Sequence, residues 1–115
     1  VACHMGTYTC FSEQVKGEDN QIGAEMFGKL QRIVDDRKRN PEEGSYTSFL
    51  FARGIDKIAK KAGEEAVELV IASKNDDKGE VIGEAADFLY HMMVLLREKD
   101  VKLSEVCSEL YKRNK

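Results

Sequence analysis

The chain has 115 residues, with 18 Lys plus Arg against 21 Asp plus Glu, a formal net charge of -3, 34% charged and 42% hydrophobic residues. This length supports one hydrophobic core and excludes a second full domain, and the mild acidity argues against a nucleic-acid module, whose affinity rests on a basic face. No run of about 18 apolar residues and no charged-then-apolar opening occur, so neither a membrane span nor a secretory leader is expected, and the default setting is cytoplasmic.

The chain opens on Val1, not Met, and reads as a piece of something longer. Cys3, Cys10 and Cys107 form an odd, widely spaced set that fits reduced thiols better than a disulfide framework. Residues 12–20 are polar, contain one Gly and show no apolar period, which predicts a loop or linker and places a boundary between residues 1–20 and 21–115. From about Ala24 to Arg39, Met26, Phe27, Leu30, Ile33 and Val34 recur at helical spacing until Asn40 and Pro41 stop the helix. Thr47 or Ser48 is suited to cap a short helix through Arg53. A longer helix follows from Ile55 to Ser73, with Ile55, Ile58, Ala59, Ala62, Ala66, Leu69 and Val70 on its core side. Another spans Lys78 to Lys99, and a last one, capped by Ser104, reaches Arg113 with Cys107 in its core face. Strand alternation is nowhere sustained. The fold class is therefore all-α, a helical bundle built on an antiparallel hairpin of the two long helices.

Charge is segregated along this frame. Residues 29–61 carry nine Lys or Arg against five acids, whereas residues 64–87 carry eight Asp or Glu against Lys74 and Lys78. Chance is one reading, and a cation site beside an anion site is the other. On the second long helix, the run from Ala85 to Leu96 is apolar except at Asp87 and His91, which predicts a buried helix. Glu80, Glu84, Asp87 and His91 fall on one stripe of it. An ionised carboxylate buried there must be protonated, paired or bound to a metal.

The first long helix supplies a matching row. Glu64, Glu65 and Glu68 lie opposite its main apolar face, with Lys57 and Lys61 one and two turns earlier on the same side. Glu65 with Glu68 and Glu84 with Asp87 are spaced so that each pair can reach a common ion. The set is all oxygen, with no Glu-x-x-His and no thiolate, which favours Mg²⁺ or Mn²⁺ over zinc or di-iron. The same glutamates also read as a solvated face held by Lys60 and Lys61, but that leaves Asp87 unexplained. His91 on its own reads as a hydrogen-bonded core residue, and Met92 and Met93 as core filler. An oxygen cage beside Lys57, Lys61, Arg53 and Arg37 suits a polyphosphate ligand. No P-loop or Rossmann glycine motif is present.

The pattern Glu64-Glu65-x-x-Glu68, fifteen residues, then Glu84-x-x-Asp87 resembles the metal motif of the all-alpha nucleoside-triphosphate pyrophosphohydrolase superfamily. Asp36-Arg37, Gly44-Ser45-Tyr46-Thr47, Lys60-Lys61-x-Gly63-Glu64-Glu65 and the run from Glu84 to His91 narrow the resemblance to the phosphoribosyl-ATP pyrophosphohydrolases of histidine biosynthesis. That resemblance implies a homodimer hydrolysing phosphoribosyl-ATP to phosphoribosyl-AMP and pyrophosphate with Mg²⁺. Glu65, Glu68, Glu84 and Asp87 would bind metal, and Glu64 would join them or orient the attacking water. Lys57, Lys61 and Arg37 would contact phosphate, and Ser45, Tyr46 and His91 the rest of the substrate. Two rivals remain: a house-cleaning pyrophosphohydrolase using the same carboxylates, and a non-enzymatic helical interaction module, which has no need of Asp87. Ala2-Cys3-His4-Met5-Gly6 and Thr9-Cys10-Phe11 resemble the end of the phosphoribosyl-AMP cyclohydrolases, whose two such cysteines help hold zinc. Two cysteines cannot fill a zinc site, so they read here as a remnant, and zinc belongs only to an intact cyclohydrolase domain.

Overall fold

The structure is a computed structural model that describes the backbone of residues 6–113 and the side chains of residues 22–113. Five helices and no strand occur among them: α1 (Gly6–Arg39), α2 (Tyr46–Arg53), α3 (Ile55–Ala72), α4 (Lys78–Glu98) and α5 (Leu103–Arg113). This is the all-α class expected. Residues 12–20, expected as a loop, are instead helical within α1. Glu13, Gln14, Lys16 and Glu18 are strong helix formers and no proline interrupts them, so propensity prevails where no apolar stripe exists. Cys3 and the side chain of Cys10, on which the zinc resemblance rests, lie outside the described residues.

The chain divides into two compact units, the second beginning at Gln31. Within this second unit the dominant packing is α3 on α4, with α2 against both. The short Ser73–Asp77 connection makes α3 and α4 antiparallel neighbours, and Asp77 caps α4 by accepting from the Glu80 N–H at 3.1 Å. Among the described residues, Val34, Leu50, Ile58 and Val94 are the fully enclosed large side chains, one each from α1, α2, α3 and α4. The end of α1 is tied to the end of α4 by Lys38 with Glu98 at 2.7 Å and Arg97 with Asp35 at 2.9 Å.

The α2 cap differs from expectation. Ser45 is the N-cap, accepting from the Ser48 N–H at 3.1 Å, because Gly44 at φ +85° turns the chain early enough to leave Ser45 extended. Thr47 and Ser48 are buried inside the helix, where the Ser48 hydroxyl accepts from the Glu42 N–H at 3.0 Å. Gly54, at φ +88°, closes α2 by donating to the Leu50 carbonyl and opens α3 by accepting from the Ile58 N–H. The α4 terminus is a Schellman arrangement: Asp100 sits at φ 57°, Val101 N–H bonds Leu96 O at 2.8 Å and Asp100 N–H bonds Arg97 O at 3.0 Å.

Three burial expectations are corrected. On α3, Ile58, Ala62, Glu65 and Ala72 are buried, while Ile55, Ala59 and Val70 are exposed. The buried face is turned by roughly 60° from the most apolar one, toward the acidic row. On α4, only His91, Met93 and Val94 are buried and Asp87 is exposed, because the first half of that helix has neighbours on one side alone. Cys107 is also exposed, on a helix with no buried residue. That helix starts at Leu103, with Glu105 rather than Ser104 capping it by accepting from the Lys102 N–H at 2.9 Å.

Leu50→Ala is expected to cost about 3 kcal/mol and Ser45→Ala about 1 kcal/mol. Urea unfolding of the two variants beside the parent measures both.

Candidate metal centre

The turn of α3 toward its acidic row brings Glu65 into the contact with α4, where it is 7% exposed. There it meets Glu84 and Asp87. One carboxylate oxygen from each of Glu65, Glu84 and Asp87 lies within 4.8 Å of the others. Like charges gathered this closely repel strongly in a partly dry site. Glu84 shows the consequence: desolvation first, then the charges of Glu68, Asp87, Glu65 and Glu80, push its carboxyl above the usual range. Its Oε1 is sealed from solvent and has no hydrogen-bond partner. A buried acceptor of this kind is costly unless something positive reaches it.

Protein cations answer only part of this need. Lys61 places Nζ 3.5 Å from Glu65 Oε2 and 3.6 Å from Glu64 Oε1. Partial burial works against its ammonium, but Tyr46, Glu65 and Glu64 outweigh that and hold its pKa above the ordinary lysine value. Among the described residues, no cation pairs with Glu84 or Asp87. The donor set is therefore three carboxylates around a sealed, unpartnered oxygen, which fits a hard divalent cation.

The other candidates are distributed around this centre. Glu68 lies near enough to raise Glu84 but outside the triplet, and Glu64 is exposed and held by Lys61. Lys57 is half-buried and makes no ion pair among the described residues. Arg37 stands at the start of the α1–α2 loop, paired with Asp36 at 2.8 Å and Glu42 at 3.7 Å, so the structure does not bring it into the carboxylate group. Ser45 is occupied as the α2 cap.

Tyr46 and His91 belong to an aromatic group that the sequence did not single out. The Tyr46 ring lies near-parallel to Phe49 (centroids 6.2 Å, 24°) and to Tyr90 (6.2 Å, 30°) and edge-on to His91 (5.8 Å, 75°). Thr47 and Tyr90 share a short hydrogen bond between their hydroxyls. Burial raises the Tyr90 phenol, while the Thr47 bond works the other way. His91 Nδ1 is 2.8 Å from the Asp87 carbonyl and Nε2 is 3.1 Å from the Tyr46 hydroxyl. Tyr46 and Phe49, one turn apart on a capped helix, were the available sequence signal for this group.

Glu84→Gln is expected to stabilise the metal-free protein at neutral pH. A carboxyl whose folded pKa is raised favours the folded state below the unfolded value, and that advantage is lost as pH rises through the folded one. The gain from the amide should therefore shrink on acidification into the carboxylate range. Thermal melts across pH, with and without a divalent cation, check this, and the cation should raise the melting temperature of the parent more than that of the variant.

The sequence model of the family "Phosphoribosyl-ATP pyrophosphohydrolase" matches residues 27–114. A "Phosphoribosyl-ATP pyrophosphatase" of Clostridium acetobutylicum is 53% identical over 90 residues, covering 78% of this chain and 82% of the relative. The "Histidine biosynthesis bifunctional protein HisIE" of Caldanaerobacter subterraneus is 51% identical over 114 residues, covering 99% of this chain and 55% of the relative. The protein of the same name in Bacillus subtilis is 47% identical over 116 residues, covering 98% and 54%. The chain thus spans about half the length of the bifunctional relatives it matches. With that match over most of its length and the acidic triplet of α3 and α4 inside it, the chain belongs to the phosphoribosyl-ATP pyrophosphohydrolase family.

Proposed function

We propose that this chain hydrolyses phosphoribosyl-ATP to phosphoribosyl-AMP and pyrophosphate, a step of histidine biosynthesis, in the cytoplasm. The observation that carries the reading is the Glu65, Glu84 and Asp87 triplet with its sealed Glu84 oxygen, in a family named for this hydrolysis. Glu65, Glu84 and Asp87 hold Mg²⁺, or Mn²⁺ in the same role, and Glu68 adds its charge beside them. The ion supplies positive charge for the polyphosphate oxygens and for the charge that develops on the leaving group. Zinc has a role only in an intact cyclohydrolase domain, through Cys3 and Cys10.

The residues of the chain divide the remaining work. Lys61 keeps Glu64 and Glu65 in place and, with Lys57, meets phosphate oxygens. Glu64 stands outside the triplet and orients water, accepting its proton at a carboxylate oxygen. The water oxygen bonds to phosphorus of the α–β anhydride, the bond to the bridging oxygen breaks, and pyrophosphate leaves with that electron pair. The exposed rings of Tyr46 and Phe49 receive the nucleotide, with Ser45 setting the start of the helix that carries them. Arg37 reaches phosphate only by exchanging its pairing with Asp36 and Glu42.

The assembly we propose is a homodimer. Val67, Val70 and Ile71 on α3 and Ile82 on α4 are 57–59% exposed, and exposed apolar side chains grouped in this way suit a protein–protein contact. A second copy covers them, and Val70→Asp should shift the protein to monomer in sedimentation velocity.

Pyrophosphate release from phosphoribosyl-ATP should require a divalent cation, stop with chelator and exceed release from ATP or deoxynucleoside triphosphates. Glu65→Gln and Asp87→Asn should each lower kcat at least ~100-fold with an unchanged circular dichroism spectrum. Retained turnover in either variant rejects the site, and preferential release from ordinary triphosphates points instead to a house-cleaning enzyme.

A further inference from the structure

His91 is 7% exposed on α4, one turn beyond Asp87, in a part of the helix that is otherwise apolar. A buried imidazole needs both ring nitrogens satisfied, and here both are. The Asp87 carbonyl can only accept, so Nδ1 donates across their 2.8 Å contact. Neutral imidazole then leaves Nε2 as an acceptor for the Tyr46 hydroxyl at 3.1 Å. The ring is fixed from its own helix and offers one acceptor in one direction, toward α2.

Tyr46 contrasts with it. The residue is 45% exposed, so its ring is less confined by packing than that of His91. Phe49, 43% exposed, lies near-parallel to it at 6.2 Å, and Tyr46 is near enough to Lys61 to help hold the lysine charged. The two exposed rings form a shelf beside the lysine that pairs with Glu64 and Glu65. An aromatic shelf next to a cation-binding carboxylate group takes the flat base of a nucleotide. Its value depends on whether the Tyr46 ring is already held when the ligand arrives, since ordering a free side chain opposes binding.

We propose that His91 is a positioning residue that acts through Tyr46, its Nε2 holding the phenol so that the ring is pre-set to stack on the substrate base. This rests on the function proposed above for the same site. His91 touches neither substrate nor metal. Its contribution is to binding, and the chemical step stays with the carboxylates.

The test joins kinetics to a measurement that needs no turnover. His91→Phe keeps an aromatic ring but removes the acceptor, Tyr46→Phe removes the donor, and His91→Gln restores an acceptor. Each phenylalanine variant should raise KM for phosphoribosyl-ATP about 10-fold, the scale of one lost hydrogen bond, with kcat within about 2-fold. The double variant should be no worse than either single, His91→Gln should recover most of the loss, and Mn²⁺ affinity should stay unchanged. Additive losses, or a fall in kcat with KM intact, would overturn the proposal.

Nitrogen-15 NMR of the imidazoles at about pH 8 should show His91 protonated at Nδ1, with an Nε2 signal that moves in Tyr46→Phe. Protonation at Nε2 rejects the pairing whatever the kinetics. If the parent protein turns over no phosphoribosyl-ATP, the proposed function fails, while the NMR result still decides the pairing. Should His91→Phe fail to fold, Tyr46→Phe and His91→Gln carry the same comparison.

Discussion

The packing of α3 on α4 places carboxylates of both helices in one contact zone, and most of the molecule can be understood from that constraint. Helices approach closely where side chains are small, and Ala62 and Ala72 are among the buried residues of α3. Glu65 occupies the same line, so close approach of the two helices also means close approach of Glu65 to Glu84. Two carboxylates in a partly dry contact raise the energy of the folded chain unless a cation joins them. Lys61 neutralises one side of the group, and the Glu84 oxygen stays without a partner. The fold thus leaves an unrelieved repulsion that a bound cation would offset, and such binding would then add to stability.

The short α2 fixes the other side of the site. Two left-handed glycines bound its segment, at Gly44 and Gly54, and Leu50 anchors it with no exposure. With its ends and its inner face fixed, its first turn presents Tyr46 and Phe49 to solvent. Thr47 with Tyr90 and Tyr46 with His91 are hydrogen bonds between α2 and α4. These bonds tie the aromatic group to the helix that also carries Glu84 and Asp87, so the aromatic rings and the carboxylates keep a constant relation.

Stability and assembly divide along the bundle. The enclosed side chains come one from each of α1 to α4, and the ion pairs of Lys38 with Glu98 and Arg97 with Asp35 hold the end of α1 that reaches the core. These partly exposed pairs contribute modestly, so the apolar contacts dominate. The outward apolar stripe of α3 and the absence of any buried residue on α5 leave surface that a single copy does not cover.

The sequence by itself determined the helical class, the α3–α4 hairpin and the acidic motif, because helical periodicity and the spacing of Glu64, Glu65, Glu68, Glu84 and Asp87 are local properties. It did not determine which carboxylates meet. Periodicity placed the apolar face of α3 over Ile55, Ala59 and Val70, and these are exposed, because the helix presents a neighbouring stripe to α4. Only that rotation buries Glu65, leaves Glu68 outside the triplet and makes Glu84 the orphaned acceptor. Asp87, expected inside an all-round buried helix, is exposed in the single chain for the same reason: burial depends on which neighbours surround a helix. The bond of His91 to Tyr46 joins residues 45 positions apart, and no local pattern encodes so distant a contact. Residues 12–20 show the converse, since a helix with no apolar stripe gives no periodic signal and only its helix-forming residues indicate it.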